Sequence, residues 1–448
     1  MKSPSSNVED IVALVKQRLK PYLQSSYMAS ELVFSGNFFV DGRFRNLEVG
    51  VSDGMIDSIG KSLRGERRIN IEGPVLPAGT DIHVHFRDPG ETEKEDFKTG
   101  TISALFGGNT TVFDMPNNRI PITDSVSFED KLSRVRSKAF CDFGLYSMFI
   151  GNNAELIDQR SSGIKIYLGG STNSIGLSKI DDKQVEKLDS NNKPVIFHAE
   201  SQECLDRYRT AYVGTLRDHN LARPEECENL AVEYINKLKI KKKIAAHLSS
   251  PKSVSIGSAS VIKEVTPHHI FLNDEMPLGS WGKVNPPLRS RSVMNELFEL
   301  YLAGKFDIIS SDHAPHTQAE KEEFNYAASG IIGVETRIPI LLALFSKKIL
   351  DINIVVRTAI TNPANIMDLR KGRIALGYYA DFLNFDKGEI KRIDDSRLHS
   401  KTKISPFNGF EAIFPKNVIM RGQFLVEDHE LIEDHLGLHT KDLKAANP

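Results

Sequence analysis

Cysteine is nearly absent from this chain: Cys141, Cys204 and Cys227 stand scattered through 448 residues. None forms a CxxC pair, so a thiolate metal site is excluded. The expectation is three reduced thiols in a cytoplasmic protein rather than a disulfide framework. Long apolar runs are missing too. No stretch approaches the roughly 18–20 apolar residues that span a bilayer, so no membrane association is expected. The opening MKSPSSNVEDIVALVKQRL is too charged for the apolar core of a secretory signal. Charge of one sign is also lacking, since 57 Lys and Arg against 59 Asp and Glu leave a net −2. That balance gives no reason to expect nucleic acid as a partner. Repeats and low-complexity tracts are absent. What remains, 40% hydrophobic and 26% charged, is a globular chain long enough for a large core.

Within it, residues 8–23 place Val8, Ile11, Val12, Val15 and Leu19 on one helical face, closed by Pro21. The spacing predicts an N-terminal helical extension over 1–30. The segment 31–60 alternates short apolar runs with Asp-Gly and Ser-Gly turns, which predicts antiparallel strands. The same texture returns in 372–386 and 417–428, so segments 31–74 and 370–430 are expected to pair into one small β-sandwich. Residues 431–448 are read as a tail.

Between these lies another rhythm. Apolar runs at 75–85, 110–116, 141–150, 163–170, 194–200, 243–250, 259–267 and 306–316 alternate with helical stretches. Eight such units predict an α/β fold, a (β/α)8 TIM barrel over 75–369.

The polar residues of these runs gather at their ends. His83 and His85 close the first run, Lys165 lies in the fourth, His198 closes the fifth, His247 ends the sixth and Asp312 the eighth. In a barrel of this kind, strand C-termini converge on one mouth. Imidazole suits zinc, and carboxylate supplements it. Two histidines at i and i+2 of a strand face the same side. Four histidines and an aspartate exceed what one tetrahedral ion with an open position needs, and suit two ions. Lys165 does not fit as an ammonium, which would repel a cation.

The stretches DIHVHFRDPG, DMPN, IKIYLGGST, FHAE, HLSS, KVNPPLR and SDHAPHT, in this order, resemble the successive signatures of the dihydroorotases within the amidohydrolase superfamily. NPANIMDLRKGRIALGYYADFLNFD is similar to that superfamily's exit from barrel to sandwich, and the likeness runs from about residue 31 to 430. The resemblance implies two Zn2+ per subunit, bridged by carboxylated Lys165 and hydroxide. It places His83, His85 and Asp312 on one ion and His198 and His247 on the other, with Glu264 in an additional zinc site of some members. The glycine before Lys165 and the small residues after it would leave room for the carbamate. Arg87, Asn117 and His316 would hold a substrate α-carboxylate, Asn285 the ring amide, and Ser329 and Gly330 the ring through backbone contacts. Asp312 would be the catalytic proton carrier.

The implied activity is reversible, zinc-dependent cyclisation of N-carbamoyl-L-aspartate to (S)-dihydroorotate and water, in pyrimidine biosynthesis. The implied assembly is a homodimer that associates in some relatives with aspartate carbamoyltransferase. Two alternatives stand beside this: a cyclic amidohydrolase acting on allantoin, hydantoins or dihydropyrimidines, and a catalytically silent partner of the transcarbamoylase. The chain departs from the family in reading DMPNN for DMPNT, in carrying AASGIIGVET (327–336) where many members have a Pro-Phe-Gly segment, and in its N-terminal helix.

Overall fold

The structure, a computed structural model, describes residues 29–174, 176–209, 213–432 and 437–443. The helix expected over 8–23 lies outside the described residues. Four strands open the chain: β1 (Ser30–Val40), β2 (Arg43–Ser52), β3 (Met55–Gly60) and β4 (Gly65–Pro77). Eight short strands follow: β5 (Gly79–Val84), β6 (Asn109–Asp114), β7 (Asp142–Met148), β8 (Gly163–Tyr167), β9 (Val195–His198), β10 (Lys243–Ala246), β11 (Val261–Val265) and β12 (Ile308–Ile309). They form one parallel sheet in sequential order. Helices such as Phe97–Phe106, Ser125–Val135, Glu225–Lys237 and Arg291–Leu302 alternate with them. The sheet curls shut where Val84 bridges His313 and His85 N–H donates to His313 O at 2.7 Å. The expected barrel is present.

Its closure is ionic as well. Asp81 accepts from the backbone N–H of His83 and of Ser311, each at 3.2 Å, and pairs with the buried Arg337 guanidinium at 3.3 Å. Ile82, Phe113, Tyr146, Ile196, Ile244 and Ile308, one from each of six barrel strands, share a buried cluster. Only side chains turned toward the axis can meet so, and they make the lower barrel a packed core rather than a pore.

After the barrel come β13 (Phe382–Asn384), the small pair β14 (Lys391–Arg392) and β15 (Glu411–Ala412), then β16 (Asn417–Met420), β17 (Gln423–Glu427) and β18 (Glu430–Leu431). Strands from both ends of the chain build a second sheet in the order β18-β17-β16-β13-β4-β1-β2-β3. One pairing differs from the antiparallel expectation: β1 and β4 run parallel. The long β4 is the reason, because it must lead straight into β5 while lying between β1 and β13. Asp142, buried at the start of β7, ties the far end of the chain to the barrel. It accepts from Lys371 Nζ at 2.6 Å, Arg421 Nη1 at 2.5 Å and Leu438 N–H at 2.8 Å.

The cysteine expectation is corrected. Cys204 and Cys227 form a disulfide, and only the buried Cys141 is free. Sequence spacing hid the pair, which stands 23 residues apart. Packing of helix Gln202–Arg207 on helix Glu225–Lys237 brings their Cα atoms to 5.2 Å, within bridging range. No described helix is long and apolar enough to cross a membrane.

Candidate metal centre and substrate cleft

The strand ends deliver the polar side chains to one cleft. It is lined by His83, His85, Arg87, Asn117, Lys165, His198, His247, Asn285, Asp312, Ser329 and Gly330. Residues from eight segments of chain thus meet in one cleft. His316 and Glu264, of the residues expected at the site, stand behind the lining, the first against Arg87 and the second against His83. Tyr167, Ser171 and Thr172 also border the cleft, and sequence reading passed them over.

Three of the connecting residues adopt left-handed backbone: Arg87 (φ 61°), His247 (φ 42°) and Asp312 (φ 47°). None is glycine, so each turn is strained and persists only because its surroundings hold it. Such turns swing the side chain back over the barrel mouth just past the strand end. Gly330, at φ 151°, occupies backbone open to glycine, and an added Cβ would lie 2.4 Å from Ala314 O. At Gly163 the space a Cβ would need is taken by the Tyr146 ring.

The donor atoms form two groups. His83 Nε2 and His85 Nε2 lie 3.3 and 3.1 Å from Asp312 Oδ1. His198 Nδ1 and His247 Nε2 lie 3.0 Å apart. Tetrahedral ligands around zinc, with bonds of about 2.0–2.1 Å, sit about 3.3–3.4 Å from each other. Both groups therefore have the spacing of a metal shell. Lys165 Nζ, 3.5 Å from His83 Nε2, completes the floor.

Three of the four imidazoles are oriented from behind. His83 Nδ1 meets Glu264 Oε1 at 2.8 Å, His85 Nδ1 meets Asn117 Oδ1 at 2.7 Å, and His198 Nε2 meets Glu200 Oε2 at 2.8 Å. These contacts place the ring proton on the outer nitrogen and leave the inner lone pair for a cation. Glu264, read from the sequence toward an extra metal, stands here as the partner of His83 and of His247 N–H. Glu200 is visible in sequence only as the last letter of FHAE. Asn117 is engaged at both ends, its amide donating to Thr172 O at 3.0 Å.

Burial pushes His85 down to about 3 and His247 well below the ordinary imidazole value, so both rings are neutral. Burial also lowers the Lys165 amine, to about 8. Opposite the donors, Arg87 donates through Nε to Pro315 O at 3.3 Å, while its buried Nη1 has no hydrogen-bond partner among the described residues. Asn285 Oδ1 accepts from His219 Nε2 at 2.9 Å and Ser329 Oγ at 3.3 Å.

A closed parallel barrel whose mouth gathers four imidazoles, a carboxylate and a lysine beside a lone guanidinium defines the class of metal-dependent amidohydrolases. The comparisons agree. The amidohydrolase family model matches residues 75–425. A dihydroorotase of Thermoplasma acidophilum is 54% identical over 92% of this chain and 98% of its own length, and one of Methanosarcina acetivorans is 33% identical over 86% and 90%. The chain belongs to the amidohydrolase family and, within it, to the dihydroorotases. Among solved structures, the L-hydantoinase of Arthrobacter aurescens (TM-score 0.83, 23% identity, 91% of this chain and 98% of that one) shares the fold. The dihydropyrimidinase of Brevibacillus agri does likewise (TM-score 0.84, 23% identity, 93% and 99%). Membership of this family implies a metal, and His83, His85 and Asp312 form a group able to hold one.

Proposed function

We propose that this chain is a dihydroorotase, interconverting N-carbamoyl-L-aspartate and (S)-dihydroorotate plus water with two zinc ions per subunit. The observation that carries the substrate is Arg87. Its guanidinium faces the cleft with Nη1 unpaired, which suits the bidentate, charge-assisted grip of a carboxylate. Dihydroorotate carries such a carboxylate; a neutral hydantoin or dihydropyrimidine does not. Asn285, Ser329 and Gly330 also line the cleft and would contact the ring amide.

His83, His85 and Asp312 would hold one ion, His198 and His247 the other, with Lys165 between as a carbamate. Burial supports that modification: an amine lowered to about 8 is neutral often enough to add carbon dioxide, losing a proton as the carbamate forms. The bound ions would supply an activated water at neutral pH and polarise the amide carbonyl. Asp312 then takes the proton of the attacking water and returns it to the ring nitrogen as the C–N bond breaks. In the synthetic direction, Asp312 would take a proton from the ureido nitrogen as it attacks the side-chain carboxylate and deliver it to the departing oxygen, which leaves as water with one further proton from solvent. Arg87 keeps that nitrogen beside its target, so much of the rate gain is positional.

The reading extends by family resemblance to a cytoplasmic homodimer and to association with an aspartate carbamoyltransferase, which size-exclusion chromatography with and without the transcarbamoylase tests. The central experiment is metal analysis with a parallel assay of dihydroorotate, allantoin, hydantoin and dihydrouracil on one preparation. Two zinc ions per chain and turnover of dihydroorotate alone are expected. Preference for a neutral ring, or a metal-free inactive protein, would overturn the reading.

A further inference from the structure

Behind the His198–His247 pair lies a segment, Arg223–Glu228, that touches neither imidazole yet reaches the loops carrying both. Arg223 Nε donates to Glu200 Oε1 at 3.1 Å and Oε2 at 3.2 Å, and its Nη2 donates to Gly170 O at 3.1 Å. Glu200, fully buried, in turn accepts from His198 Nε2 at 2.8 Å. A carboxylate has acceptors only, so this contact requires the proton on Nε2 and turns the Nδ1 lone pair to the cleft.

The other end of the segment acts on the next strand. Glu228, fully buried, accepts from the backbone N–H of Ser249 and of Ser250, each at 2.9 Å. These two amides lie two and three residues past His247, and they hold the loop that leaves its left-handed turn. Arg289 interlocks the two arms. It donates through Nη1 to Arg223 O at 2.6 Å and through Nε to Ser249 Oγ at 3.0 Å. The Cys204–Cys227 bridge and the bond from Ser201 N–H to Cys227 O (2.8 Å) fasten the same segment to the β9 loop.

We infer that Arg223–Glu228 is a positioning clamp for the second metal position, with the Arg223–Glu200 arm selecting the nitrogen His198 presents and the Glu228 arm holding the turn that aims His247. The inference rests on the two-metal reading above. Its residues are positioning residues, since none reaches the substrate or the donor side of either ring.

The test uses the full-length protein loaded with zinc, with metal content, stepwise removal by chelator and thermal midpoint measured together. Wild type is expected to release two ions in separable steps. Glu200→Leu, Arg223→Met and Glu228→Leu are expected to hold one ion firmly and to bind the other about 10–100-fold more weakly, the usual cost of losing an outer partner. Glu200→Gln, which keeps an acceptor for His198, and Arg223→Lys, which keeps the charge, are expected to recover much of the second ion and serve if the harsher variants do not fold. Two ions held as in wild type by all five variants would overturn the clamp, as would equal loss of both ions. Wild type that binds a single ion would instead overturn the two-metal reading, and the clamp with it.

Discussion

Arg87 donates through Nη2 to His316 Nε2 at 3.2 Å. His316 is buried and pushed down to about 3, so it is neutral, and its Nδ1 faces Glu320 Oε2 at 3.3 Å. This contact fixes one arm of the guanidinium, while Nη1 has no hydrogen-bond partner among the described residues. Arg87→Met is expected to lower kcat/KM for dihydroorotate about 100- to 1,000-fold, as loss of a buried charged contact costs about 3–4 kcal/mol. Zinc content should stay at the wild-type value, because Arg87 lies outside both donor groups. Loss of zinc would contradict the assignment.

Asp312→Asn removes the proton carrier while keeping shape. Initial rates of ring opening and ring closure are both expected to fall by about 10³–10⁴-fold, the weight of a positioned acid–base group. A variant slow in one direction only would break the single-carrier scheme.

Stability should fall with acid. His219 and His316 are pushed down to about 3, and His268 and His439 to about 4, by burial in every case. With folded values below the unfolded 6.5, the unfolded chain binds more protons between pH 6.5 and 3–4. The contribution is complete above pH 6.5 and lost as pH falls toward the folded values, at up to about 1.4 kcal/mol per pH unit per group. Urea midpoints at pH 7.5, 6.0 and 5.0 should decline in that order; a flat profile would refute the neutral, buried state of these rings.

Gly330→Ala tests the wall opposite the metals. The new methyl would meet Ala314 O at 2.4 Å in a backbone region closed to alanine. A loss of about 1–3 kcal/mol is expected, read as a lower thermal midpoint, with a raised KM from displacement of Ser329.

The barrel and its donor set were legible because histidines are rare at the ends of apolar runs and the runs number eight. Arg87 came into view only through the family resemblance. The partners of these residues were not legible. Glu200, Arg223 and Glu228 are charged residues of helices and helix-flanking loops, which in sequence look like solvent-facing charges. Only packing shows that Glu200 and Glu228 are fully buried. The Cys204–Cys227 bridge was hidden for the same reason, as helix-on-helix packing leaves no mark in spacing. The parallel β1–β4 pair escaped because turn signals reveal hairpins and not the neighbour of a long strand.

The second sheet has a consequence for how the chain is made. β4 pairs with β13, yet some 300 residues separate them. During synthesis the first four strands emerge early, with the β4 edge bare, and wait until nearly the whole polypeptide has left the ribosome. An uncovered edge invites pairing with other chains, and contacts this distant close slowly. Nascent protein therefore passes through a period of exposed strand backbone, and overexpression yield should respond to slower translation or added chaperone more than to any change at the catalytic mouth.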